Sequence, residues 1–205
     1  MNLVSERHNR PEFQRSILFR PGTSATEIEG MLWSSFRSGN RKALDYIFDK
    51  YVRLLFAYGG KISSSNPLVE NCIQDLFVDL WAKHEILSDT DNIKLYLLKS
   101  LRRRIIRALM ATNRIKINTI DEHGYASDLE FSAEFNLIQE LNSIEKRNQI
   151  EEALTQLTKR QREAVYLKFY ERFSYLEIAD MMNLTLKSTY KLIGKAIFSL
   201  RKHFH

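Results

Sequence analysis

The chain has 205 residues, a formal net charge of +6 and a pI of about 9.4, so it is long enough for one large or two small domains and its charge favours a polyanionic partner. Seven glycines and three prolines are too few breakers for a sandwich or barrel, and they argue for helix throughout. The single cysteine, Cys72, excludes an internal disulfide and a cysteine-based zinc site, and in its apolar run it reads as a small buried hydrophobe.

Residues 1–25 are polar, with Pro11, Pro21 and Gly22, and read as a flexible arm. Its arginines Arg7, Arg10, Arg15 and Arg20 are either solvated or placed to touch nucleic acid. The arm has no apolar core of signal-peptide length. No stretch approaches the roughly 20 apolar residues that span a bilayer. A soluble, cytoplasmic protein is expected.

A helical domain is expected over residues 26–114. Leu32, Trp33 and Phe36 share one helix face, and Gly39-Asn40 ends that helix. Ala43, Leu44, Ile47, Phe48, Tyr51, Leu54 and Leu55 continue on the next helix as core. Gly59-Gly60 and Ser63-Ser64-Ser65 are expected to form a loop. Asn66-Pro67 then reads as N-cap and first helical residue. The following helix buries Val69, Cys72, Ile73, Leu76, Phe77 and Leu80 and shows Glu70, Gln74, Asp75 and Asp79. That acidic side is either simply solvated or a docking face for a basic partner.

A polar loop, 87–92, precedes a strongly basic segment, 93–114. Winding it at 100° per residue puts Leu98, Leu101, Ile105, Ala108 and Leu109 on one face. Tyr96, Lys99, Arg103, Arg104 and Arg107 gather opposite, with Arg102 on the border. An ordinary solvated face mixes both signs, and this one has no acid. Cations with an aromatic beside them suit a phosphate backbone and base stacking.

Residues 115–140 change character. Asp121, Glu122, Asp128, Glu130 and Glu134 accumulate and Gly124 interrupts, which reads as an acidic linker. A second domain, 141–205, opens on a helix carrying Ile144, Ile150, Ala153, Leu154 and Leu157. Two capping boxes follow, Thr158-x-x-Gln161 and Ser174-x-x-Glu177. After Ser174, Leu176, Ile178, Ala179 and Met182 recur at helical intervals. Asn183-Leu184-Thr185 breaks the pattern, and Thr185 is a good N-cap. The last helix carries a stripe of Leu186, Tyr190, Ile193, Ile197 and Leu200, expected to dock, against an outer face of Lys187, Ser188, Lys191 and Lys195. A short helix, a tight turn and a helix with a basic outer face make the pattern of a helix-turn-helix. From periodicity alone, an ordinary pair of amphipathic helices remains open. The outer face is almost free of acids, and Arg201 and Lys202 add further cations. His84, His123 and the tail histidines are scattered and read as surface residues. The chain has no phosphate-cradling glycine loop, metal cluster or triad-like spacing, so no catalytic residue, metal or cofactor is expected.

Two blocks in one chain, VENCIQDLFVDLW followed by YLLKSLRRRII, and QLTKRQREAVYLKFYERFSYLEIADMMNLTLKSTYKLIGKAI, resemble bacterial RNA polymerase sigma factors of the extracytoplasmic-function (ECF) type. The resemblance covers about residues 27–203. It implies an all-α protein of two small helical domains, the second a helix-turn-helix. The first domain would bind core RNA polymerase through Glu70, Gln74, Asp75 and Asp79, and would melt the minus-ten promoter element. There the loop Ser88–Asn92, with Asp91 and Asn92, would capture an unstacked base. Tyr96, Lys99, Arg102, Arg103 and Arg107 would hold the strand. The second domain would set Thr185, Lys187, Ser188, Lys191 and Lys195 in the major groove of the minus-thirty-five element, with Arg160 and Arg162 on phosphates. The linker would run through polymerase toward the RNA exit path. An anti-sigma partner is implied too. The family often has proline where Thr158 stands, arginine for Lys195, tryptophan for Tyr96 and asparagine for Arg103, which bears on base preference. The alternative is a helix-turn-helix regulator that works without core polymerase.

Overall fold

The computed structural model describes residues 24–115 and 152–203, and these form helices and turns only. Most of the arm, the segment 116–151 with the acidic linker and the start of the second domain, and the last two residues lie outside the described residues.

Helix α1, Ala25–Arg37, starts with a capping box that the sequence reading passed over: Glu27 N–H donates to Ser24 Oγ (3.2 Å) and Ser24 N–H to a Glu27 oxygen (2.7 Å). It buries Leu32, Trp33 and Phe36. Gly39, at φ 84°, turns the chain, and Asn40 caps α2, Arg41–Ile62. Helix α2 buries Ala43, Ile47, Tyr51, Leu55 and Tyr58.

The expected loop at Gly59-Gly60 is not there, because α2 runs through both glycines to Ile62. Their use differs from chain breaking. A Cβ on Gly59 would overlap a Val69 methyl and lie 3.3 Å from Ile105 Cδ1. Glycine lets α2 approach its neighbours closely, and that packing offsets a helix-propensity loss of about 1 kcal/mol.

Ser65, not Asn66, caps α3, Asn66–Ala82, so Pro67 sits one position further into the first turn. Helix α3 buries the six apolar residues expected of it, Val69, Cys72, Ile73, Leu76, Phe77 and Leu80. A short 3-10 turn, His84–Ile86, follows. His84 is not an ordinary surface residue. Its ring stacks on Trp81 at 4.9 Å, and its Nδ1 lies 2.6 Å from the Trp81 carbonyl oxygen. Helix α4, Ile93–Ile115, is capped by Asn92, whose Oδ1 accepts from Leu95 N–H at 2.9 Å. It buries Ile93, Leu97, Leu98, Leu101 and Ile105, with Ala108 and Leu109 half-buried.

The C-terminal stretch opens with a helical turn over 152–155 and then α5, Lys159–Val165. Both expected capping boxes form, at Thr158/Gln161 and, for α6, Tyr175–Met182, at Ser174/Glu177. A π-helical turn, Tyr166–Tyr170, lies between them. Asn183 takes the left-handed conformation (φ 53°) that ends α6, and α7 runs Leu186–His203.

The buried stripes are displaced from those expected. Leu176 is 69% exposed, and Met181 is buried in its place. On α7 the inward residues are Thr189, Ile193 and Ala196, while Leu186 and Tyr190 are exposed at 43% and 53%. Thr189 can face inward because its hydroxyl donates to the Thr185 carbonyl (3.1 Å), and Tyr190 stacks outside on Tyr175 at 4.1 Å.

The two stretches pack together. Ala164, Leu167, Phe173, Ile178, Met181, Met182 and Ile193 join the hydrophobic cluster of α1–α4. A smaller cluster of Leu154, Leu157 and Ala196 ties the 152–155 turn to α7.

Candidate nucleic-acid interface

The loop before α4 is pinned from α1. Trp33 Nε1–H donates to the Ser88 carbonyl at 2.9 Å, Arg37 pairs with Asp89, and Asn92 N–H donates to Thr90 Oγ1 at 3.1 Å. Asp91 is exposed and Asn92 half-buried. Asn92 is used twice, since its side-chain oxygen caps α4 and its Nδ2 donates to Glu177 at 3.3 Å. The Tyr96 ring rests against Trp33, with centroids 5.0 Å apart, and is half-buried.

The cations of α4 divide into three sets. Arg103 and Arg107 are exposed. Lys99 and Arg102 face the C-terminal unit: Lys99 Nζ is 2.5 Å from Asp180, and Arg102 reaches Glu163 through Nε (2.7 Å) and Nη2 (3.3 Å). Tyr58 Oη–H donates to the same Glu163 carboxylate at 2.8 Å. Burial lowers the Arg102 pKa, but Glu163 more than compensates and leaves it raised. Arg104 departs from the expected cationic face. It turns to α3 and pairs with Asp79, whose carboxyl that guanidinium holds below its usual range.

The same pairing bears on the acidic face of α3. Glu70, Gln74 and Asp75 are exposed, whereas Asp79 already has a partner in its own unit. Sequence reasoning also passed over Lys94. Its Nζ lies 2.5 Å from the buried Glu171 and 5.2 Å from the Phe173 ring centroid. The signal available in the sequence was the acid-free basic segment, which begins at that lysine.

The second basic surface lies on α7. The Thr185 hydroxyl accepts from Ser188 N–H (3.1 Å) and donates to Ser188 Oγ (2.8 Å), which orients the first turn. Lys187, Ser188, Lys191 and Lys195 are exposed, and the three lysines make no ion pair among the described residues. A helix N-terminus with outward lysines and a small hydroxyl residue offers hydrogen-bond donors of the kind that phosphates and base edges accept. Arg160 is exposed on α5. Arg162 is half-buried, its Nε has no hydrogen-bond partner among the described residues, and burial lowers its pKa. No helix among the described residues is long and apolar enough to cross a membrane.

Residues 147–197 match the family described as Sigma-70, region 4. No curated protein matches the chain. Among solved structures, the chain is similar to the sigma factor RpoE from Bartonella quintana, determined in complex with the anti-sigma factor NepR. That match has 20% identity and a TM-score of 0.56, covering 80% of this chain and 97% of that one. It is also similar to CnrH, determined in complex with the cytosolic domain of CnrY, at 18% identity and a TM-score of 0.56, covering 87% and 96%. At such identities the likeness is one of fold. Residues 147–197 thus match a sigma-70 region 4, and the described residues share the helical fold of these two solved proteins.

Proposed function

We propose that the chain is an ECF-type sigma factor that binds core RNA polymerase and directs promoter-specific initiation by recognising and melting promoter DNA. The observation that carries the reading is the pairing of two basic helices in one sigma-type frame: α4 behind a pinned loop, and α7 in a region 4 match. A conventional helix-turn-helix regulator has no need of the first.

The division of labour follows from the chemistry of each face. Residues 26–114 form the unit that engages polymerase and the minus-ten element. The exposed Glu70, Gln74 and Asp75, with Asp79 beside Arg104, present acids to a basic helix of the enzyme. Asp91 and Asn92 take an unstacked base, and Tyr96, Lys99, Arg102, Arg103 and Arg107 hold the strand. Unstacking costs a few kcal/mol, which charge-assisted contacts offset. Residues 141–205 form the upstream reader. Thr185, Lys187, Ser188, Lys191 and Lys195 enter the major groove, and Arg160 and Arg162 touch phosphate. Residues 115–140 link the two, and 1–25 form an arm.

The protein performs no catalysis of its own, and RNA synthesis belongs to the polymerase. Its partners are core RNA polymerase, promoter DNA and an anti-sigma factor, and its place is the cytoplasm, where those are met. The test is transcription in vitro with purified core polymerase on a library of genomic fragments. Discrete start sites that depend on the added chain are expected. A chain that fails to join core polymerase, or joins it without starting RNA at defined positions, overturns the reading.

A further inference from the structure

Two residues of α7 have no part in the functional reading above. Leu186 and Tyr190 belong to the apolar stripe that the sequence sends into the core, yet they are exposed, at 43% and 53%. Four residues separate them, so they stand one above the other on the flank of the face that carries Lys187 and Lys191. Gly194 continues the row a turn further on. It is exposed and has open space where a Cβ would stand, so α7 puts no side chain beside Tyr190 there. The Tyr190 ring is held all the same. It stacks on Tyr175 of α6, with centroids 4.1 Å apart and planes 22° from parallel. The Lys168 ammonium lies 4.6 Å from the Tyr175 ring centroid and donates to the Phe173 carbonyl at 3.1 Å. A ring fixed in this way meets a ligand without losing much further freedom.

We propose that Leu186 and Tyr190 are specificity-determining residues of the α7 surface, and that they select duplex DNA with thymine at the one or two base pairs facing them. The inference rests on the functional reading above for placing α7 in a major groove. Lys187 and Lys191 attract a polyanion, but phosphates are the same in every sequence. An apolar flank is not indifferent to sequence. Guanine N7 and O6, adenine N7 and N6, and cytosine N4 all need hydrogen-bond partners in the major groove. Covering them with a leucine, or with the body of a tyrosine ring, removes their water and returns nothing. Thymine alone offers a methyl group there. Leu186 and Tyr190 are about 6 Å apart along the axis and base pairs rise about 3.4 Å, so the two side chains cover about two steps. The other occupant of an exposed apolar patch is a protein partner. Helix α7 carries cations beside the patch and no acid anywhere, which favours DNA.

The test begins with selection from duplexes that carry a random window of about 12 bp, a little over one helical turn. It is run with the full chain alone and with the full chain on core polymerase. The enriched duplex is then remade with each thymine in turn replaced by deoxyuridine, which removes the 5-methyl group and keeps every hydrogen-bonding atom. One or two of these replacements are expected to weaken binding about three- to fourfold each, as losing one buried methyl does. Each such penalty should vanish in Leu186→Ala or in Tyr190→Ala. Tyr190→Phe keeps the ring and should keep the penalty.

An enriched site that tolerates deoxyuridine at every thymine, or has no thymine, overturns the proposal. So does a penalty that survives in both alanine variants, or the absence of any enriched sequence in both arms. Alanine variants that keep the discrimination and lose affinity for core polymerase would make the patch a protein-docking surface, which also overturns it. If circular dichroism shows that Tyr190→Ala does not fold, Leu186→Ala and Tyr190→Phe decide: a penalty unmoved by the first, or lost in the second, counts against the proposal. Failure of the functional reading has a different signature: methyl-dependent selection by the chain alone, but no RNA started with core polymerase.

Discussion

Helices α4 and α7 both present cations on a face nearly free of acids, and in sequence they look alike. In the folded chain they differ. On α4, Lys94, Lys99 and Arg102 meet acids of the C-terminal unit and Arg104 meets Asp79, leaving Arg103 and Arg107 exposed. On α7, Lys187, Lys191 and Lys195 meet none among the described residues. A basic face thus has a fate that its own helix does not decide, and the deciding partner lies far along the chain. The cationic face of α7 is uncovered, while much of that of α4 is engaged within the chain.

The largest expected effect tests that asymmetry. Replacing Lys187 and Lys191 together by alanine should weaken binding to a duplex fragment of the chain's own promoter about tenfold near 0.1 M salt. The log–log salt slope should fall by at most about 2, one for each cation removed from the DNA's counterion atmosphere. Polymerase binding should be unchanged. Lys99→Ala, by contrast, should leave duplex binding of the free chain nearly as it was, because Lys99 is already engaged by Asp180. Fluorescence anisotropy across a salt series reads both. Equal losses from Lys99→Ala and Lys191→Ala would break the comparison.

What could be read in advance follows the same line. Signals carried by neighbours in sequence were legible: the six-residue buried set of α3, and the capping boxes at Thr158 and Ser174. A four-residue cap motif and an apolar repeat state their own geometry. The phase of α7 was misread because Thr189 counts as polar, although a back-bonded threonine can face a core. Gly59-Gly60 was misread because glycine signals both a turn and a close helix crossing, and only the neighbours tell which. The pairs Arg102–Glu163 and Lys99–Asp180 join residues 61 and 81 apart, so no local pattern announces them. Glu163 in RQRE reads as any surface acid. The contacts proposed with DNA and polymerase were legible only as chemistry, from the sign and spacing of exposed side chains.

Within the N-terminal unit, the adjacent glycines sharpen the point about context. Gly59→Ala adds a methyl into Val69 and Ile105, and overpacking of this kind typically costs about 1–3 kcal/mol. The gain in helix propensity, about 1 kcal/mol, offsets part of it. A net loss of up to about 2 kcal/mol is expected. Gly60 has nothing within 4 Å of an added Cβ, so Gly60→Ala should raise stability by about 0.5–1 kcal/mol. Urea unfolding followed by tryptophan fluorescence measures both, since Trp33 and Trp81 lie in this unit. Changes of the same sign would show that α2 is not held where Gly59 meets Val69.

The smallest expected effect concerns how an acid is used within a unit rather than between units. Glu29 of α1 ties three helices: it accepts from Tyr51 Oη–H and Lys50 Nζ (2.9 Å) on α2 and from Ile93 N–H (3.0 Å) at the start of α4. Burial pushes its carboxyl up, but those donors outweigh burial and leave it below its ordinary value of 4.5. A carboxylate depressed in the folded state contributes stability that is fully present above the unfolded pKa and is lost as pH falls through the folded one. Stability of the N-terminal unit should therefore hold from neutral pH to about 5 and decline below it. Glu29→Gln should be less stable at pH 7, because a neutral amide accepts more weakly, yet flatter from about pH 5 to 3. Urea midpoints taken across that range, with the same tryptophan signal, decide it. An unchanged acid limb in Glu29→Gln would place the acid sensitivity elsewhere.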